Sequence, residues 1–412
     1  MVKKGYKQTE IGVIPEDWEC VLLLDKSRLL NGLTYTPDNV KNNGLLVLRS
    51  SNIQNNQLSL EDTLYVNCIV EDEKKIKDGD IMICVRNGSA ALIGKCAQAH
   101  RDYDATFGAF MAVLRGNHND YILQILQQGT IQKEIIKNSG ATINQITNGD
   151  FKIVKIALPT SNDEEIAIAS SLSNVDKLIS SLEKLITKKK AIKQGAMQEL
   201  LTGKRRLPGF SGEWETRTLH EISNEMVDGP FGSNLKTEHY TTERQVRIIQ
   251  LSNIGEAGWN NANVKYTTFS HAAELQRCIV QPGSILIAKM MPAGRAIICP
   301  DNEKSYILGS DVVKVVPNSS VDSRYLVYAT KSRFYLDQIA DDTQGSTRAR
   351  TSVSKLRKTA ILFPEKDEQI AIADILSEMD MEIAALEGKI AKYRQIKQGM
   401  MQQLLTGKIR LV

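Results

Sequence analysis

Polar and basic side chains recur at matched places in the two halves of this chain. The first half carries Arg49, Ser51, Asn52, Arg86, Asn87, Ser89, Lys95, Thr142, Asn144 and Gln145. The second carries Lys236, Gln250, Asn253, Lys289, Arg295, Thr347, Arg348 and Arg350. Arg, Asn, Gln, Ser and Thr hydrogen-bond to base edges in the major groove, and Lys and Arg take phosphate. Singly, each is an ordinary solvated loop residue. Their recurrence is what sets them apart: Ser51-Asn52-Ile53 is answered by Ser252-Asn253-Ile254, and Gly140-Ala141-Thr142 by Gly345-Ser346-Thr347. These eighteen positions are the candidate DNA contacts.

Catalytic constellations do not emerge beside them. Gly88 to Cys96 imitates a phosphate loop, but the spacing is one residue too long and Cys96 stands where Ser or Thr would hold Mg²⁺. The five histidines (100, 118, 220, 239, 271) and six cysteines show no zinc spacing. Asp38, Glu73 and Lys75 imitate a nuclease set around Mg²⁺, but are common residues far apart in sequence. Neither an Asn-Pro-Pro-aromatic tetrapeptide nor a glycine-rich turn for S-adenosylmethionine is present. The expectation is a chain that catalyses nothing and holds no metal or cofactor.

Composition bounds the alternatives. The 412 residues, 42% hydrophobic and 24% charged, suit two or more globular domains. No apolar run approaches the ~20 residues of a membrane helix. The start lacks a signal peptide and the cysteines form no disulfide framework, which predicts a cytoplasmic protein without membrane contact. A net charge of +4 is small for a chain that grips DNA alone, so partners should share the electrostatic work.

Two repeated segments must position the loops. Residues 163–207 and 367–411 align at a constant offset of 204 without a gap, with roughly 27 of 45 positions identical. Ile168, Leu172, Val175, Ile179, Leu182 and Ile186 fall at alternating spacings of 4 and 3. Ile372, Leu376, Met379, Ile383, Leu386, Ile390 and Tyr393 keep the same rhythm, a coiled-coil seam. Pro159 and Pro364 precede these helices and Gly203 and Gly407 follow them, which predicts a helix from about 164 to 202 and its copy. The ends close a circle: Ile14 to Trp18 occupies the place of Phe210 to Trp214, so two pseudo-equivalent halves should carry antiparallel helices. Short β-branched runs at 45–48, 81–85, 110–114, 248–251, 285–288 and 312–316, with helical stretches near 121–137 and 322–340, predict α+β domains. The expected organisation is a mixed α/β domain over 1–159, a helix over 160–208, a second domain over 209–364 and a second helix over 365–412.

TEIGVIPEDW at 9–18, LPTSNDEEIA at 158–167, LLTGKRRLPGFSGEW at 200–214, GPFGSNLK at 229–236, FPEKDEQIA at 363–371 and LLTGKIRL at 404–411 together resemble the specificity subunits of type I restriction–modification systems. Glu165 departs from the glutamine seen at Gln369, and Thr160 from a second proline, both at the loop-to-helix junction. The resemblance covers nearly the whole chain. It implies two target recognition domains, each reading one half of an asymmetric, interrupted double-stranded DNA site. It further implies helices that dock two DNA-adenine methyltransferase subunits, with motor-nuclease restriction subunits joining them. S-adenosylmethionine, ATP and Mg²⁺ are then expected on the partners. The alternatives are a single-chain methyltransferase or nuclease with its own recognition domains, and a coiled-coil scaffold without a DNA role.

Overall fold

The computed structural model describes residues 3–128, 145–290, 292–343 and 350–411. They divide into two compact units, Met1–Glu183 with Gly388–Val412, and Lys184–Glu387.

In the first unit, the central sheet has the strand order Cys96–Gln98, Ile81–Cys84, Met111–Arg115, Arg28–Asn31, all antiparallel. Successive residues of Ile81–Cys84 point to opposite faces, as strand geometry requires. Ile81 and Ile83 enter a core with Trp18, Tyr121 and Phe151, while Met82 and Cys84 enter another with Leu48, Ile53 and Phe107. Burial on both faces explains why the run is continuously apolar rather than alternating. A second sheet pairs Ala105–Phe107 with Leu45–Leu48 in parallel, and Tyr65–Val66 antiparallel beyond it.

The second unit repeats this plan. Its central sheet runs Ser223–Asp228, Val312–Pro317, Ile285–Ala288, Ala296–Ile298. Ile285 and Ile287 feed one core, Leu286 and Ala288 another. The parallel pair recurs as Val246–Ile249 with Tyr306–Leu308. The mixed α/β domains expected from the sequence are therefore present twice, with strand limits within one or two residues of expectation. The stretch 322–340 is two helices, Ser323–Ala329 and Arg333–Thr343, rather than one. The stretch near 121–137 is helical over Asn119–Leu126, and residues 129–137 lie outside the described part.

The repeated segments form helices Asn162–Leu200 and Lys366–Leu404, each 39 residues long. In the first unit Asp176 pairs with Lys397 (2.6 Å) and Glu183 with Arg394 (2.6 Å). In the second, Lys193 pairs with Asp380, Lys189 with Glu382 (2.7 Å) and Lys190 with Glu387 (2.7 Å). Asp176 and Glu183 meet Lys397 and then Arg394, and Lys189 and Lys193 meet Glu382 and then Asp380, so the pairing within each unit is antiparallel. The seam is not uniform, however. Ile168 and Leu172 join the core of the first unit, and Ile372 and Leu376 that of the second. Ile186, Ile383, Leu386 and Ile390 are buried, whereas Val175, Ile179, Leu182 and Met379 are only partly so. The N-terminal end of each helix is thus part of a domain core.

The expected closure of the circle is seen inside the first unit. Glu164, 1% exposed, accepts the Trp18 indole N–H (3.0 Å) and two bonds from Arg410 (2.6 and 2.8 Å). In the second unit Glu368 accepts the Trp214 indole N–H (3.1 Å) and two bonds from Arg206 (both 2.8 Å). Gly407 has a left-handed φ of 66°, and a Cβ there would lie 2.3 Å from Pro15. Only glycine fits this approach.

Candidate nucleic-acid interface

In each unit a loop leaving the central sheet meets a returning segment. Arg86 forms an antiparallel bridge with Gln145, and Met290 with Arg350. The residue after each returning position pins it: the Ile146 N–H donates to the Val85 carbonyl (2.7 Å), and the Thr351 N–H to the Lys289 carbonyl (2.8 Å). Ile146 and Thr351 are both buried, so the returning backbone is anchored while its neighbour reaches outward.

The third side of each cluster comes from the segment before the strands Met111–Arg115 and Val312–Pro317. In the first unit this is Phe110, 58% exposed, with the Arg86 guanidinium 5.4 Å from its ring centre. In the second it is Asp311, which accepts a bond from Arg350 (3.2 Å). Glycine contacts frame both clusters. A Cβ on Gly32 would lie 2.0 Å from the Gly108 carbonyl, and one on Gly229 1.9 Å from that of Gly309. These contacts allow the GPFGSNLK segment to pass beside the sheet, leaving Phe231 and Lys236 exposed. Beside Asp311 lies a groove of about 410 Å³ lined in part by Gln250, Ser252, Asn263 and Lys265.

Three sequence candidates, Asn52, Asn253 and Lys289, are buried and their expected contact role is corrected, while Arg49 and Asn87 are half-buried and tied into their loops. Asn52 is fully buried: its Oδ1 accepts the Arg49 N–H (2.8 Å) and its amide donates to the carbonyls of Ser59 (2.9 Å) and Asp62 (2.7 Å). Asn253 does the same with Gln250 N–H, Asn260 and Ala262, each at 2.8 Å. The repeated Ser-Asn-Ile is therefore a loop clamp, which satisfies main-chain groups that would otherwise be orphaned. Lys289 is buried against Asp228, and Arg49 is held by Asp62 (2.9 and 2.8 Å). Asn87 bonds Ser50 (3.1 Å) and caps the Ser89 N–H (3.0 Å), shaping the loop that presents Arg86. Ser51, Arg86, Ser89, Lys236 and Arg350 are exposed, while Lys95, Gln145, Gln250 and Arg295 are half-buried. Thr142, Asn144, Thr347 and Arg348 lie outside the described residues.

Phe110 and Asp311 were not singled out by sequence, because each reads as the edge of an apolar strand. Nor were the polar ties between helices and domains. Lys397, 8% exposed, bonds Asp176 (2.6 Å) and Gln127 (2.8 Å). The equivalent Lys193 meets Asp380, whose other oxygen accepts the Tyr328 hydroxyl (2.8 Å). Lys331 lies 5.4 Å from the same Tyr328 ring, and burial, with the charge of Lys193, depresses its pKa. Their signal was available: Asp176 and Lys397 recur as Asp380 and Lys193, charges kept in both copies beside an apolar seam.

Among the described residues no group of three or more His, Cys, Asp or Glu side chains could hold a metal, and no helix is long and apolar enough to cross a membrane. Glu73 pairs with Arg28, and Lys75 with Asp104 (3.2 Å), so these members of the nuclease-like set are engaged elsewhere. The loop imitating a phosphate-binding turn leads into the strand Cys96–Gln98, not a helix. Burial pushes the Cys96 and Cys299 thiols up to about 12, away from the nucleophilic thiolate.

Two like domains, each carrying a loop cluster on a rigid sheet and tied to long antiparallel helices, define a modular recognition protein. The family model of the type I restriction modification DNA specificity domain matches residues 15–194 and again 212–395, and the chain belongs to this family as a type I specificity subunit. It is 23% identical over 387 residues to the type I restriction enzyme StySPI specificity subunit of Salmonella potsdam, covering 88% of this chain and 81% of that one. It is also 23% identical over 290 residues to the EcoKI specificity subunit of Escherichia coli strain K12, covering 68% of this chain and 62% of its relative's length. The crystal structure of the S subunit of a type I restriction-modification system from M. genitalium has a similar fold, with TM-score 0.61, 15% identity and coverage of 94% of this chain and 96% of that one.

Proposed function

We propose that this chain is the non-catalytic DNA-reading subunit of a cytoplasmic type I complex, recognising an asymmetric, two-part double-stranded site. The observation that carries this reading is the cluster built at one place in both domains from different side chains: Arg86, Phe110 and Gln145 in one, Met290, Asp311 and Arg350 in the other. Equal frameworks with unequal reading groups give half-sites of unequal sequence. The helices act as spacer and as docking surface for two DNA-adenine methyltransferase subunits, to which restriction subunits add. S-adenosylmethionine, ATP and Mg²⁺ belong to those partners. At 1.5 Å per residue each 39-residue helix is about 58 Å long. That length corresponds to at most about 17 base pairs of 3.4 Å, room for half-sites about one helical turn apart. The near-neutral net charge of +4 fits a complex in which the methyltransferases clamp the phosphates.

The test is reconstitution. The purified chain alone should neither methylate nor cut DNA, and should confer sequence-specific adenine methylation on its methyltransferase partners. Turnover by the contaminant-free chain, or partner methylation independent of it, contradicts the reading.

A further inference from the structure

Arg350 and Asp311 form a pair whose chemistry separates base reading from phosphate binding. Among the described residues, the Arg350 guanidinium makes one hydrogen bond, through Nη2 to the Asp311 carboxylate (3.2 Å), and its side chain is 56% exposed. The rest of the fork is left to the surface. The fold does not need the pair, because the first domain builds the same bridge, the same pin and the same turn with Gln145 and Phe110 at these places. An ion pair this exposed also contributes little to stability. What the carboxylate does is orient the guanidinium and cancel its charge.

That cancellation decides the ligand. A phosphate approaching Arg350 meets the Asp311 anion beside it, so the pair gains little from the DNA backbone. The edge of guanine in the major groove is uncharged and presents two acceptors, N7 and O6, which suit an arginine fork held in one orientation. The backbone is fixed from behind by Thr351, and the adjoining groove offers Gln250, Ser252 and Lys265 to the same face. Resting on the DNA-reading function above, we propose that Arg350, oriented by Asp311, is a specificity-determining residue that reads a guanine in the half-site of the second domain.

The test uses the chain assembled with its methyltransferase subunits and a DNA library randomised across the target. Arg350→Ala should lose discrimination at one G·C pair of one half-site by roughly 5- to 150-fold, the range for one bidentate base contact. The other half-site and the thermal stability should stay as they were, and so should the salt dependence of binding in the double variant Arg350→Ala with Asp311→Ala, where no charge is stranded. Asp311→Ala should relax the same base pair while steepening the salt dependence, since it frees a positive charge. If Arg350→Ala weakens all sequences alike and lowers the salt slope by about one, Arg350 is a phosphate contact and the proposal is overturned. If the wild-type profile is bipartite and neither variant changes it at any position, the proposal is likewise overturned, with the DNA-reading function intact. A wild-type complex without a two-part target would instead overturn the function itself.

Discussion

Replacing Arg410 by methionine removes the partner of a carboxylate buried in the first unit. Arg410 gives two bonds to Glu164 and two to Asp17 (2.9 and 2.6 Å). Asp17 is half exposed, so that arm contributes at most about 1 kcal/mol. Glu164 is 1% exposed, and unpairing a buried charge costs about 3–5 kcal/mol. The Trp18 N–H remains as a donor (3.0 Å), which places the expected loss near 3 kcal/mol. For a unit of this size that is a fall in Tm of about 6–12 °C. Hydrogen exchange followed by mass spectrometry reads each unit separately, and only the first should lose protection. The double variant Glu164→Gln with Arg410→Met should recover part of the loss, because no charge is then stranded. A loss below 1 kcal/mol, or one as large in the double variant, would refute the claim that this pair closes the unit.

Three further outcomes follow from the same geometry. Burial raises the Glu164 carboxyl, but the bonds from Arg410 and Trp18 outweigh it, and Arg410 likewise holds Asp17 low. Both carboxylates therefore stabilise the fold above their unfolded pKa values, ~3.9–4.3, and lose that contribution as pH falls through their lower folded values; acid unfolding monitored by circular dichroism should shift to higher pH in Arg410→Met. Asn52→Leu removes three bonds and leaves buried main-chain groups unpaired, at roughly 1–3 kcal/mol each, so limited proteolysis should cut the 49–62 loop faster; unchanged cutting would deny the clamp. Inserting one heptad after Ile179 and another after Ile383 lengthens each helix by about 10.5 Å, or three base pairs; methylation of the original site at its normal rate would show that the helices do not set the spacing.

The elements were legible in the sequence because their signals are local. A 4-and-3 apolar rhythm bounded by Pro159 and Gly203 marks a helix to within two residues, and Ile285–Ala288 reads as a buried strand. The interface was legible only in outline. Ser-Asn-Ile recurs because it closes a loop, and sequence cannot separate a buried amide clamping carbonyls from an exposed one reading a base. Lys289 meets Asp228 across 61 residues, and Arg350 meets Asp311 across 39. Such pairings depend on sheet register, and both Phe110 and Asp311 stand where the strand pattern hides them.

The most direct measurement is the methylome of cells carrying the complete system with residues 20–155 exchanged for the same region of a related subunit. One half of the methylated site should change, and the other half, with the number of base pairs between them, should stay. Simultaneous change of both halves, or retention of the original site, would contradict two domains that each read their own half of the target.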